Sequence, residues 1–204
     1  MPKIVDAEAR RDAIADAVLT VIARGGLRAA TLATIAAESE LAVGSVRHYF
    51  SGHDELLMFA AETLVDRTTE RLEAHLARLG TEQSADQRRS IAVDMLCEVL
   101  PLDSAREIEA AVWLEFAVVA RTSTELARPI SMLHDGLRAL VARIITSGNQ
   151  RSRFRADFDL DVEIARLHAV VDGLLLHGVL ASDPEYALLS RRVLESHLEG
   201  LLAT

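Results

Sequence analysis

"TLATIAAESELAVGSVRHYFSGHDELL", residues 31–57, decides how this chain is read. Its apolar residues are too unevenly spaced for one helix and fit two short ones. Thr31 suits the N-cap of a helix over 32–39. Glu40-Leu41-Ala42 makes a turn, and a second helix follows over 43–49 until Ser51-Gly52 stops it. Two short helices joined by a tight turn are the helix-turn-helix pattern. The two must cross closely, so a small residue belongs inside the first, and Ala36 stands there. Leu41, Val46 and Phe50 are expected to face inward. Val43, Gly44, Ser45, Arg47, His48 and Tyr49 are left mostly outward.

A helix that enters the major groove needs small residues at its leading end and donors beyond them. Gly44-Ser45 meets the first need, and Arg47, His48 and Tyr49 meet the second. The plainer alternative is an amphipathic helix whose polar face only meets water.

Helical spacing continues outward from this stretch. Ile14, Val18, Val21 and Ile22 make one face of a helix over 6–24, ended by Gly25-Gly26. Asp54 and Glu55 suit the first turn of a long helix over 53–79, where acids complement the helix dipole. Further helices are expected over 85–100, 104–122, 124–149, 160–181 and 184–203. The fold class is therefore all-α, with about nine helices: a three-helix head and a larger helical body. "RSRFR" (151–155) reads as a solvated interhelix loop, with a basic contact patch as the alternative.

Charge is divided unevenly. The net charge is −9, yet residues 1–52 carry six cations and six acids, so the whole deficit lies in 53–204. A neutral head permits DNA binding without advertising it, and an acidic body is repelled by phosphate. The opening "MPKIVDAEARRDAI" has no apolar core of a signal peptide. No apolar run approaches the roughly 20 residues of a membrane span. The expected location is cytoplasmic, with no membrane partner. One cysteine, Cys97, excludes an internal disulfide and a cysteine zinc cluster. Its apolar neighbours make it a small core residue, with a redox sensor as the alternative.

Enzymatic readings find little. There is no Gly-rich phosphate loop, no G-x-S-x-G and no H-E-x-x-H. The seven histidines include no i, i+4 pair. No catalytic residue, cofactor or metal is expected.

Residues 31–57 resemble the DNA-binding motif of TetR/AcrR-type transcriptional regulators. Thr31, Ile35-Ala36, Gly44-Ser45, Tyr49-Phe50 and Glu55-Leu56-Leu57 match the family pattern. The C-terminal part, from "VWLEF" (112–116) through "HAVVDGLLLHGVL" (168–180), is similar to the subgroup with a BetI-type regulatory domain. Three positions depart. Glu40 stands where the family has Gly at the turn, Arg47 where it has Tyr, and His53 where it has Lys. Arg47 shifts the site toward guanine readout. His53 makes a phosphate contact weaker and pH-dependent.

The resemblance implies a DNA-binding domain over 1–52, with Thr31, Thr34, Val43, Gly44, Ser45, Arg47, His48, Tyr49 and His53 at the DNA. It implies a ligand-binding and dimerisation domain over 53–204. Phe59, Met95, Trp113, Phe116, Met132 and His134 lie on different expected helices that could converge on a small-molecule cavity; ordinary core is the alternative. The helix over 160–181 is apolar almost all round, so both faces need burial. A homodimer interface is expected at Leu167, Val170, Val171, Leu174, Gly178, Leu189, Val193, Leu194 and Leu198. The function implied is a ligand-responsive regulator, most simply a repressor released from a pseudo-palindromic operator. Activation instead of repression stays open. So does a helical ligand-binding or scaffold protein whose head does not bind DNA.

Overall fold

A computed structural model describes residues 7–78, 84–151, 158–181 and 185–202. Among them nine α-helices follow in order: α1 (Ala7–Gly25), α2 (Leu32–Glu38), α3 (Val43–Tyr49), α4 (His53–Ala77), α5 (Ala85–Cys97), α6 (Ser104–Val119), α7 (Thr124–Arg151), α8 (Leu160–Ala181) and α9 (Tyr186–Glu199). The all-α expectation holds. Helix ends differ by a few residues: α5 stops at Cys97, α6 at Val119 and α9 at Glu199. A 3-10 turn at Leu27–Ala29 was not foreseen. The expected loop "RSRFR" lies outside the described residues after Arg151, which ends α7.

Packing divides the chain into two compact units. The first comprises residues 1–66 with 111–131, and the second 67–110 with 132–204. The first therefore holds more than the head expected over 1–52. It adds the leading half of α4 and the segment from α6 into α7.

In the first unit, Ile14, Val18, Val21 and Ile22 of α1 are buried, as their spacing requires. α1 ends because Gly26 takes φ 73°, a left-handed turn open to glycine at little cost. The Gly26 amide still donates to Ile22 at 2.7 Å. α2 begins with a capping box: the Thr31 hydroxyl accepts from the Thr34 amide at 3.2 Å, and Thr34 Oγ1 accepts from the Thr31 amide at 2.9 Å. Val112 and Phe116 of α6 and Leu126 and Ile130 of α7 complete this core.

In the second unit, Ile91, Met95 and Leu96 of α5, Val141 and Ile145 of α7, Leu167 and Val171 of α8 and Leu194 and Leu198 of α9 are buried. α5 opens on a second capping box, Ser84 with Gln87. Cys97 belongs to this core, and burial pushes its thiol up to about 11. That leaves it protonated and unreactive at neutral pH, as a core residue should be.

α8 corrects one sequence expectation. By length and composition Leu160–Ala181 is apolar enough to cross a membrane, though it interleaves Glu163, Arg166 and Asp172. Ile164, Leu167, Val171 and Leu175 give it a buried stripe, while Leu176 and Leu180 are 42% and 71% exposed. The helix is two-faced, and one apolar face is open.

Candidate nucleic-acid interface

The joint between α2 and α3 sets the geometry of the candidate site. α2 closes in a Schellman motif. Leu41 N–H reaches back to the Ala36 carbonyl at 2.9 Å, and Glu40 N–H to the Ala37 carbonyl at 3.4 Å. This closure needs a left-handed residue, and Glu40 supplies it with φ 55°. It is the only non-glycine residue with positive φ among those described. The chain thus keeps the tight turn without the glycine that favours it. Ala36, at 2% exposure, is the small residue at the crossing. Val46 and Phe50 are buried as expected, and Leu41 is half-buried.

With Val46 and Phe50 locked inward, the opposite side of α3 is presented to solvent. Val43, Gly44, Arg47 and His48 are exposed, and Ser45 and Tyr49 are half-buried. A side chain at Gly44 would meet nothing within 4 Å. The leading end of α3 is therefore bare and can approach a surface closely. Arg47 makes no hydrogen bond or ion pair among the described residues, so its guanidinium is available. The His48 and Tyr49 rings touch edge to face at 5.6 Å.

Thr31, Thr34 and His53 are held by other contacts. Thr34 Oγ1 also donates to the Ala29 carbonyl at 2.5 Å, so both threonine hydroxyls are engaged in starting α2. His53, at the first turn of α4, places Nδ1 2.7 Å from the Ala30 carbonyl. A carbonyl only accepts, so the proton sits on Nδ1. The His53 side chain is otherwise exposed.

The six expected pocket residues are divided between the two units. Phe59, Trp113 and Phe116 belong to the first unit, and Met95, Met132 and His134 to the second. Phe59 packs on Phe50 at 4.9 Å, with the Arg11 guanidinium 5.2 Å from its ring centre. Its place is thus in the packing of the head. Phe116 and Met95 are core residues, Trp113 is half-buried and Met132 is 55% exposed. His134 is exposed and lies 4.8 Å, ring to ring, from the buried His168. Burial holds His168 below the usual imidazole range, His134 and Arg138 oppose its protonation further, and Asp172 partly offsets both.

The expected interface residues also sort by face. Leu167, Val171, Leu194 and Leu198 are buried in the chain's own core, so they have no surface to give a partner. Gly178 serves the chain itself: a methyl there would stand 2.5 Å from Pro101 Cγ. Val170, Leu174 and Val193 are half-buried, and Leu189 is 50% exposed. The exposed leucines of α8 and α9 are instead Leu176, Leu180, Leu188 and Leu189. The i, i+4 phase of Leu176 and Leu180, opposite Leu167 and Val171, was the signal that could have found them.

Comparison with known proteins places this geometry. The family described as "BetI-type transcriptional repressor, C-terminal" matches residues 88–203. The HTH-type transcriptional regulator PksA of Bacillus subtilis is 33% identical over 205 residues, covering 98% of this chain and 94% of its own length. The HTH-type transcriptional regulator BetI of Burkholderia cenocepacia is 29% identical over 212 residues, covering both chains fully. The same fold appears in a putative transcriptional regulator from Saccharomonospora viridis solved with choline. Its TM-score is 0.80 at 23% identity, over 94% of this chain and 96% of that one. With its capped helix-turn-helix and its matched C-terminal half, the chain belongs to the TetR family of transcriptional regulators, in the group with a BetI-type C-terminal domain.

Proposed function

We propose that this regulator is a cytoplasmic homodimeric repressor whose α3 helices read the major grooves of a pseudo-palindromic operator, and that a small molecule releases it. Residues 1–52 act as the DNA-binding domain and 53–204 as the ligand-binding and dimerisation domain. The observation that carries the reading is the exposed side of α3. Its leading end is bare at Gly44, and an available Arg47 and His48 stand beyond it. Small residues for approach followed by donors for base edges and phosphates are what groove entry requires. Val43, Gly44, Ser45, Arg47, His48 and Tyr49 are the contact set, and His53 adds a phosphate contact. Thr31 and Thr34 act indirectly, by fixing where α2 starts.

A second copy would cover the open apolar face of α8 and α9. Four exposed leucines on two neighbouring helices are costly to leave in water, at about 25 cal/mol per Å² of apolar surface. Two half-sites one helical turn apart then match the twofold symmetry of the dimer. The effector belongs to the second domain, and its apolar interior suits an amphipathic molecule. Stearoyl-CoA in a FadR of Bacillus subtilis is an amphipathic molecule bound on this fold, and choline in the Saccharomonospora viridis regulator is a small cation bound on it. Binding shifts the protein toward release only through differential affinity for its two states. Neither a cofactor nor a metal enters this scheme.

The deciding experiment is fluorescence anisotropy with DNA flanking the protein's own gene, against random DNA of equal length. The reading expects a specific complex of one dimer per site. Equal affinity for both DNAs, or none, would favour a helical ligand-binding protein whose head does not read DNA.

A further inference from the structure

The way α4 is held changes along its length. Leu56, Leu57, Ala60, Ala61 and Leu64 are buried, but no residue from Val65 to Arg78 is. Charge takes over where apolar burial stops. Arg71 sets its guanidinium fork on Glu109 of α6, with contacts of 2.5 and 3.2 Å. Its Nε lies 3.0 Å from Glu98, just past the end of α5. One turn further, His75 Nε2 is 2.7 Å from the other Glu98 oxygen. Arg78 reaches Asp94 of α5 at 3.4 Å, and Arg191 of α9 holds the same Asp94 at 2.6 Å. Arg106 of α6 adds a second cation to Glu98 at 3.5 Å. All these groups belong to the second unit.

We propose that Arg71 is a positioning residue for DNA binding, acting through α4. A bidentate arginine fixes its acceptors in direction as well as distance. Arg71 ties α4 to α6 and to the end of α5 at once, so it sets the rotation and axial register of α4 against both. α4 begins at His53, eighteen residues or about 27 Å upstream, where we place a phosphate contact. A helix held by a few directional pairs can release and re-form them at discrete positions. An interlocked apolar face cannot do so without opening voids. The proposal rests on the DNA-binding reading above.

The test compares wild type with Arg71→Met, Arg71→Lys and the exposed neighbour Glu70→Gln. Segment-resolved amide hydrogen exchange is measured along α4, and anisotropy gives affinity for the operator and for random DNA. In Arg71→Met, exchange over residues 67–77 should rise about tenfold while 56–64 stays unchanged. Operator affinity should fall about five- to tenfold with random-DNA affinity unchanged, so discrimination falls by the same factor. Arg71→Lys, which keeps the charge but loses the fork, should fall between, and Glu70→Gln should match wild type. A loss of stability alone would raise exchange along all of α4 and spare discrimination, and that result overturns the proposal. So does a loosened 67–77 segment with wild-type discrimination. If Arg71→Met does not fold, Arg71→Lys carries the same comparison. A wild type that binds no specific DNA overturns the functional reading itself and is seen before any variant is made.

Discussion

Glu40 sits where the helix-turn-helix closes, in a backbone conformation that disfavours any side chain. Its φ of 55° places Cβ near the following carbonyl, at a cost of about 1–2 kcal/mol for an L-residue. Glycine removes that cost but frees the unfolded chain, which takes back about 0.4–1 kcal/mol. Glu40 is exposed, so its removal leaves no cavity. The difference predicts that Glu40→Gly stabilises the protein by about 0.5–1 kcal/mol. For a chain of this size that raises Tm by about 1–4 °C. Glu40→Ala is the control, because alanine drops the charge and keeps the strain. It should gain nothing from the backbone, and Glu40→Asn should fall between, since asparagine tolerates the left-handed region. Thermal and urea unfolding of all four proteins at equal m-value would measure this. If Glu40→Ala stabilises as much as Glu40→Gly, charge and not backbone strain is the cause, and the reasoning is refuted.

Further outcomes follow from the site and the core. Arg47→Ala should cost about 1–3 kcal/mol on the operator and relax preference at one base pair per half-site if Arg47 reads guanine. A uniform loss on all DNA, with a salt slope smaller by about one unit, would make it a phosphate grip. His53→Ala should weaken binding to operator and random DNA alike, and His53→Lys should strengthen both, as a phosphate contact would; unchanged affinities would discard the contact. Leu180→Glu with Leu188→Glu should yield a folded monomer by light scattering at concentrations where wild type is dimeric. A variant that stays dimeric would move the interface elsewhere. Burial holds folded His168 below the ordinary imidazole value, so below about pH 6.5 the unfolded chain takes up a proton that the folded one refuses. Wild type should lose that part of its stability as pH falls through about 6.5 while His168→Gln does not; stability curves of equal slope would show that His168 is not the cause.

The helices were legible in the residues because their causes are local. Thr31 and Ser84 accept from the amide three residues on, and Gly25-Gly26 ends α1 through its own backbone freedom. That a turn falls at Glu40-Leu41-Ala42 was legible, but its left-handed backbone at Glu40, a non-glycine, came only from the structure. The outward side of α3 followed from one helix's phase. What residue types alone do not give is which distant segments meet. Phe59 packs on Phe50 and under the Arg11 guanidinium, contacts that its spacing does not announce. On α8 composition showed two apolar faces but not which one the chain uses itself. Leu167 and Val171 were named for a partner and are buried, while Leu176 and Leu180 stayed open. The Arg71 cluster gave no sequence signal, because Glu98 and Glu109 lie 27 and 38 residues away. Local hydrogen-bond closure and helical phase are properties of a short stretch, so the sequence alone determined the elements and the exposed side of α3. Pairings across tens of residues depend on how the helices pack, and only the tertiary structure decided which apolar face is open and what holds the far half of α4.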